Sequence, residues 1–275
     1  MKIFGIFGDP IEHSLSPAMQ NAALKAMGED ACYHAFRVGG ERLREALIGA
    51  QAMGFAGLNL TIPLKERSLM VGILEPDPLA RAIGAVNTVC FSEQGILGYN
   101  TDGWGASLAL QESGISVRRR PVLIIGAGGA ARAIAYTLKQ EGADVIIANR
   151  SARRAEDLAA EIGGAGYGIC HLKSLAARSD IIINCTSVGM REGDPSLLEP
   201  DIFRQGQVVF DIVYNRETEL LQDARRAGAI ALDGVMMLVY QGAKALHIWT
   251  GKRAPVEVME TAVRDALAAG VSRKG

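Results

Sequence analysis

The sequence predicts an α/β protein built from two domains, and three observations carry that reading. The chain has 275 residues, enough for two separate cores. Short apolar runs alternate along it with segments of helical periodicity, the signature of strand–helix units. Near the middle, Val122-Leu-Ile-Ile-Gly126-Ala127-Gly128-Gly129-Ala130-Ala131-Arg132 sets four apolar residues against a glycine cluster, and good helix formers then run to Lys139.

That central stretch reads as a buried strand, a tight turn and a helix N-terminus. Backbone N–H groups point outward at such a turn, and the positive end of the helix favours an anion such as phosphate. Gly126-x-Gly128-x-x-Ala131 fits the dinucleotide fingerprint, alanine being allowed at the third position. The strand before it and the helix after it supply the context that a bare glycine pattern lacks. The second domain is therefore expected to be a Rossmann-type dinucleotide-binding domain.

The following strand sharpens the choice of dinucleotide. Asp144-Val-Ile-Ile-Ala-Asn149-Arg150-Ser151 ends without the acid that NAD-binding folds use to hold the ribose 2′-hydroxyl, and Arg153 and Arg154 lie just beyond. A guanidinium forks onto a 2′-phosphate that a carboxylate would repel. Cations at a helix start oppose its dipole, so an anionic ligand explains them better than a solvated surface does. The expected cofactor is NADP(H), held by Arg150 with Arg154 one helical turn away on the same face.

Composition narrows the function class. Apolar residues make up 49% and charged residues 21%, as in soluble globular proteins. The net charge of −1 provides no basic field for nucleic acid. No apolar stretch approaches the roughly 20 residues of a membrane helix. Met1-Lys2-Ile3 runs straight into a strand, leaving no room for a signal peptide. Cys32, Cys90, Cys170 and Cys185 are scattered, as are the four histidines, so reduced thiols in the cytoplasm and no metal site are expected.

In the first domain, Lys2 to Phe7 reads as a strand ending at Gly8, and Ser16-Pro17 as N-cap and first residue of a helix to about Met27. Ser16 is thus either a cap or a ligand; Ser14 has no capping role, and the two hydroxyls together suit a polyol. Ala31 to Arg37 is a strand and Glu41 to Met53 an amphipathic helix. In Phe55-Ala-Gly-Leu-Asn59-Leu-Thr61-Ile-Pro63-Leu-Lys65, Asn59 and Thr61 share one side of an extended segment. Pro63 opens a helix whose first turn holds Lys65, electrostatically misplaced there unless it serves proton transfer. Gly84-Ala-Val-Asn87-Thr88-Val89 enters a strand, and Gly95 to Tyr99 is its hairpin partner. Asp102 follows, either an N-cap or a functional acid. Asn, Thr and Asp collect at strand ends, where open α/β sheets bind ligands.

Later strands are expected at Asp180 to Asn184, leading into a loop with Thr186 and Gly189, at Val208 to Tyr214, and at Ala229 to Leu232 before Asp233-Gly234. Val235 to Thr250 is a helix with Leu238, Gln241, Ala245 and Trp249 on one stripe. Gln241, polar on an apolar stripe, needs either a ligand hydroxyl or a backbone carbonyl as partner.

Seven of these segments, in order, resemble the signatures of shikimate dehydrogenases: Ser14-Leu-Ser16-Pro17, Asn59-Leu-Thr61-Ile-Pro-Leu-Lys65, Gly84-Ala-Val-Asn87-Thr, Asn100-Thr-Asp102-Gly, the Gly126 loop through Arg132, Asn149-Arg150-Ser151, and Met237-Leu-Val-Tyr-Gln241-Gly-Ala. The resemblance implies two open α/β domains with a cleft between them. Residues 1–102 plus 235–275 would form the substrate-binding catalytic domain and 103–234 the NADP-binding Rossmann domain. It implies NADP-linked interconversion of 3-dehydroshikimate and shikimate by a monomer or homodimer. Lys65 and Asp102 would be the catalytic pair, and Ser14, Ser16, Asn59, Thr61, Asn87, Tyr214 and Gln241 would meet substrate. Cofactor contacts would come from Gly126, Ala127, Gly128, Gly129, Ala130, Asn149, Arg150, Ser151, Arg154 and Thr186, with Ile212 and Gly234 at the nicotinamide.

The family commonly reads Tyr-Asn-Pro with a threonine three residues after the proline. Here Tyr214-Asn215-Arg216-Glu217-Thr218 lacks the proline and is one residue shorter. Rival readings are a quinate or dual quinate/shikimate dehydrogenase, a catalytically silent NADP-binding regulator, and a methylenetetrahydrofolate dehydrogenase. Quinate-preferring relatives tend to carry threonine at Ser16 and an acid near Arg150. A silent regulator should have lost Lys65 or Asp102, and the third rival lacks the Ser14/Ser16 and Asn87 motifs.

Overall fold

A computed structural model describes residues 1–93 and 95–272. The chain divides into two compact units, Met1–Gly105 with Leu238–Gly275, and Ala106–Met237.

The first unit carries β1 (Lys2–Gly8), α1 (Ser16–Ala26), β2 (Ala31–Arg37), α2 (Leu43–Ala52), β3 (Phe55–Leu60), α3 (Leu64–Arg67), β4 (Leu74–Pro76), α4 (Pro78–Ile83), β5 (Thr88–Ser92) and β6 (Gly95–Tyr99). Its sheet has the order β2-β1-β3-β5-β6-β4. It is mixed: β1 pairs parallel with β2 and β3, and the β5–β6 hairpin adds antiparallel to β3. The central strand β3 is buried along almost its whole length, so its sequence is a nearly continuous apolar run broken only by Asn59. Phe7, Leu43, Leu47, Leu58, Leu60 and Leu64 belong to the core on one side.

The second unit contains β7 (Pro121–Ile125), α6 (Gly129–Gln140), β8 (Asp144–Asn149), α7 (Ala152–Ile162), β9 (Ala165–Gly168), α8 (Leu172–Arg178), β10 (Ile181–Asn184), β11 (Val208–Asp211), α9 (Glu219–Arg226) and β12 (Ile230–Leu232), after α5 (Asp102–Glu112) enters it from the first. Every pairing in its sheet is parallel, in the order β12-β11-β10-β7-β8-β9. Counted from β7, that is the doubly wound 3-2-1-4-5-6 arrangement, whose strand order reverses between β7 and β10. Leu123, Ile125, Leu172, Ile182, Val209 and Leu220 pack its core. The chain then returns to the first unit through α10 (Val235–Thr250) and α11 (Val256–Ser272). Trp249 of α10 stacks on Phe4 with ring centroids 5.0 Å apart and donates its indole N–H to Val89 O at 2.9 Å, so the helix is fastened to the sheet by both its apolar face and one hydrogen bond.

Several local expectations are corrected. The first α-helix begins at Ser16 with Leu15 as its N-cap and no side-chain cap bond, so Ser16 does not cap. The local hydroxyl contact belongs instead to Ser14, whose Oγ accepts from Ser16 N at 3.3 Å. The helix after Pro63 is a single turn of four residues, too short for a developed macrodipole. Asp102 is the first residue of α5 rather than a cap before Trp104. Among the described residues, no helix is long and apolar enough to cross a membrane.

Candidate active site and cofactor-binding site

In the first unit, the ends of β3, β5 and β6 bring three polar segments together. Asn87 precedes β5, its main-chain N–H bonded to Tyr99 O at 3.0 Å and its carbonyl accepting from Leu60 N at 2.8 Å. The backbone thereby fixes Asn87 between two neighbouring strands. The Lys65 carbonyl accepts from Val86 N at 2.9 Å, tying the one-turn helix to the same place. Asn100 Oδ1 accepts from Asp102 N at 3.0 Å and sets the start of α5.

These constraints produce a buried ion pair. Lys65 Nζ stands 2.7 Å from Asp102 Oδ2, with side-chain exposures of 16% and 4%. The other carboxylate oxygen accepts from Asn87 Nδ2 at 2.8 Å. Asn87 Oδ1 accepts from Thr101 N at 2.9 Å, and because an N–H can only donate, the carboxamide nitrogen must face Asp102. Asp102 thus uses both oxygens, and Lys65 keeps further ammonium hydrogens for another acceptor. Gln241 reaches the same group from α10: Nε2 donates to Leu238 O at 2.8 Å, and Oε1 lies 3.4 Å from Asn87 Nδ2. Its partners on the apolar stripe are therefore a backbone carbonyl and Asn87.

Asn59 lies one layer deeper. It is 5% exposed, its Oδ1 accepts from Tyr33 Oη at 2.7 Å, and its Nδ2 donates to Asn87 O and Thr88 Oγ1 at 3.1 and 3.2 Å. Thr61 is half-buried just beyond β3, its N–H bonded to Phe7 O and its carbonyl to Leu64 N. Ser14 is half-buried and Ser16 buried at the start of α1.

In the second unit, β7 ends at the glycine turn. Gly126 has φ +116°, and a Cβ there would stand 3.1 Å from the Cys185 carbonyl, so only glycine lets the turn pass the end of β10. Gly128 is the extended N-cap residue, and Gly129 and Ala130 open α6. Arg154 donates from its guanidinium to Ala127 O at 3.0 Å, which places a cation against this loop. Ser151 caps α7 by accepting from Arg154 N at 3.4 Å, and Asn149 Nδ2 donates to Ser151 O at 3.2 Å. Arg150 is exposed at the end of β8, with no ion pair or hydrogen bond among the described residues. It precedes the cap of α7, so Arg150 and Arg154 do not share a helical face; the loop and the cap bring them to the same end of the sheet instead.

Beyond β10, Thr186 is held by Asn184: its N–H and its hydroxyl both donate to Asn184 Oδ1, at 2.9 and 2.8 Å. Asn184 Nδ2 then donates to Asp211 Oδ1 at 2.9 Å. Asp211, at the end of β11, also accepts from Val213 N at 3.0 Å and Thr218 Oγ1 at 2.7 Å. Burial pushes its carboxyl up to about 6 despite these three donors. The residues after Tyr214 need no proline to hold their turn. Asn215 Nδ2 donates to Met190 O at 3.0 Å, Arg216 to Arg191 O at 2.6 Å, Glu217 pairs with Arg225, and Thr218 caps α9. Tyr214 itself is half-buried, and desolvation raises its phenol. Ile212 and Gly234 come so close that a Cβ on Gly234 would lie 2.3 Å from Ile212 O.

The geometry fits a dinucleotide: a turn that excludes a side chain, a helix N-terminus of main-chain donors, and cations where a 2′-phosphate would stand. Among the described residues no group of three or more His, Cys, Asp or Glu is placed to hold a metal ion. Sequence reasoning missed Tyr33, Thr88 and Asp211. Only Asp211, a lone acid closing an apolar strand, carried a signal that could have exposed it.

Three family models match the chain: the shikimate dehydrogenase substrate binding domain over residues 6–89, shikimate / quinate 5-dehydrogenase over 107–233, and the shikimate 5′-dehydrogenase C-terminal domain over 234–264. The shikimate dehydrogenase (NADP(+)) of Methanothrix thermoacetophila is 60% identical over 267 residues, covering 97% of this chain and 98% of the relative. A crystal structure of a shikimate dehydrogenase in complex with NADP+ superposes with a TM-score of 0.91 at 40% identity, covering 97% of this chain and 96% of that one. The shikimate 5-dehydrogenase of Thermus thermophilus, in complex with NADP(H) and shikimate, gives 0.89 at 37% identity, covering 97% and 100%.

Proposed function

The chain belongs to the shikimate dehydrogenase family, and from that premise we propose that it catalyses the NADP-linked, reversible reduction of 3-dehydroshikimate to shikimate. Bound NADP(H) supplies or takes up the hydride. The carbonyl oxygen that becomes the alcohol must gain a proton as the hydride arrives, and Lys65 is the donor; in the oxidative direction it takes that proton back. Asp102 holds the Lys65 ammonium in place, and Asn87 holds Asp102. Ser14, Ser16, Thr61, Tyr214 and Gln241 bind the substrate's hydroxyl and carboxylate groups. Asn59, its carboxamide taken up by Tyr33, Asn87 and Thr88, acts by positioning Asn87 rather than by touching substrate.

On the cofactor side, Gly126, Ala127, Gly128, Gly129 and Ala130 cradle the pyrophosphate. Asn149, Arg150, Ser151 and Arg154 bind the adenosine ribose and its 2′-phosphate, and Thr186, Ile212 and Gly234 bound the nicotinamide. The near-neutral net charge of −1 supports a small-molecule substrate rather than nucleic acid, and four free thiols among the described residues support a cytoplasmic setting.

The Lys65–Asp102 pair, at 2.7 Å with its carboxylate buried and its lysine largely so, carries this reading: withdrawing two charges from water is costly, and a proton-transfer role accounts for keeping them. Steady-state kinetics with shikimate and quinate, each with NADP and NAD, tests it. The highest kcat/KM should belong to shikimate with NADP. A preference for quinate, or no turnover of either, would overturn the assignment.

A further inference from the structure

Asp102 is oriented by Asn87, and Asn87 is in turn oriented by a buried layer that never reaches solvent. Thr88 and Tyr33 are 0% exposed and Asn59 is 5% exposed. Tyr33 Oη donates to Asn59 Oδ1 at 2.7 Å, which leaves Asn59 Nδ2 facing Thr88 Oγ1 at 3.2 Å. A carboxamide nitrogen can only donate, so Thr88 must accept there and turn its own hydrogen elsewhere. That hydrogen goes to Asn87 Oδ1 at 2.9 Å. Asn87 Oδ1 thus receives Thr88 Oγ1–H and Thr101 N–H, with Thr101 Oγ1 3.2 Å away, and its nitrogen faces Asp102 Oδ1 at 2.8 Å and Thr101 Oγ1 at 3.0 Å. Each group sets the polarity of the next, from Tyr33 to the carboxylate that holds Lys65.

We infer that Thr88 is a positioning residue for the Lys65–Asp102 pair: its hydroxyl, aligned by Asn59 and Tyr33, adds an oriented donor to Asn87 Oδ1 beside Thr101 N–H and tightens the hold of the Asn87 nitrogen on Asp102. The inference rests on the proton-transfer role given to that pair. Thr88 is a β-branched residue at the first position of a strand, where a purely structural threonine would tolerate valine. Valine keeps the shape but strands one buried polar group, an Asn59 N–H, and removes one of the three donors around Asn87 Oδ1, leaving Thr101 N and Thr101 Oγ1. Asn87 then keeps only its Thr101 donors on Oδ1, and its nitrogen is held less tightly toward Asp102.

The test compares Thr88→Val with Thr88→Ser. Misplacing a reacting group by about 1 Å costs up to roughly 10²-fold, so Thr88→Val should lower kcat by about ten- to a hundredfold while KM for NADP holds. Thr88→Ser, which keeps the oxygen, should recover most of that loss. Tyr33→Phe, at the far end of the layer, should lower kcat in the same direction by a smaller factor. The carbon NMR shift of the Asp102 carboxyl should move in Thr88→Val and return toward the wild-type position in Thr88→Ser. Wild-type kcat in Thr88→Val would overturn the inference. So would equal losses in Thr88→Val and Thr88→Ser, which would make Thr88 a packing residue. If the wild type turns over neither shikimate nor quinate, the functional reading fails instead, and the Asp102 carboxyl shift still decides whether Thr88 orients Asp102.

Discussion

At the scale of single residues, two side chains divide the chemistry. Lys65 meets a carboxylate at 2.7 Å on one side and keeps ammonium hydrogens for a further acceptor, in the proposed reading the substrate oxygen. Positioned acid–base help is worth about 10²–10⁴-fold, so Lys65→Ala should lower kcat by that factor and leave NADP affinity nearly unchanged. A fall of less than about tenfold would remove Lys65 from the proton-transfer role. In the proposed reading, Arg150 decides the cofactor. It is exposed and unpaired among the described residues, so a 2′-phosphate meets a guanidinium with no competing carboxylate. One charge-assisted bond can favour NADP over NAD by about 10–100-fold, less whatever solvent and salt screen. Arg150→Asp should raise KM for NADP strongly, leave or improve the use of NAD, and weaken the salt dependence of selectivity. Equal use of both cofactors by the unmutated protein would sink this assignment. Lys65 and Arg150 were legible in the sequence because each breaks a local rule, a cation at a helix start or at the end of a strand that usually carries an acid. Thr88 and Tyr33 break none. A threonine in a strand and a tyrosine in a core follow propensity, and only the pairing of strands far apart in sequence turns them toward Asn87.

At the scale of elements, the sequence was most readable where the periodicity was long or the punctuation sharp. β2, β8 and α10 fall on the residues that alternation, the apolar run and the apolar stripe mark out. β4 and β9 did not announce themselves: one has three residues and ends in proline, and the other is half glycine. The helix after Pro63 promised a dipole and delivered one turn, so what holds Lys65 is an ion pair rather than a helix end. The ends of β10 and β11 illustrate what pattern cannot supply. Asn184, Thr186, Asp211 and Thr218 form one buried network that braces two loops, although they lie up to 34 residues apart. Asp211 makes this network sensitive to pH. Its carboxyl is raised from 3.8 to about 6 by burial, so the folded state holds the proton more tightly than the unfolded chain does. The stabilisation is therefore complete below about pH 4 and is lost as pH rises through about 6, a change of ~3 kcal/mol. Urea unfolding of the wild type and Asp211→Asn between about pH 4 and pH 7 isolates the group, and the difference in stability between them should change by that amount. A difference that stays constant across the range would place the Asp211 carboxyl at its ordinary value.

For the whole molecule, each unit has its own sheet and core, and the two differ in how openly they declared themselves. The doubly wound sheet repeats strand and helix with regular spacing, and its strand reversal between β7 and β10 sets Gly126 beside Cys185, where a dinucleotide belongs. The mixed sheet of the first unit takes a hairpin between parallel strands, and its polar strand ends had to be gathered by folding before they read as a site. If the division of labour is right, each ligand should protect its own unit most. A ligand at about 100 times its Kd stabilises the state it binds by ~2.7 kcal/mol, so amides that exchange only through opening of that site should slow by up to about 100-fold. In hydrogen exchange with NADP alone, the strongest protection should fall on residues 126–132, 149–154 and 185–189. With shikimate alone it should fall on residues 14–16, 59–65, 87–102 and 238–241. Strongest protection by NADP in the first unit, with residues 126–132 unaffected, would mean that the glycine turn is a structural strand–helix connection and that the cofactor binds elsewhere.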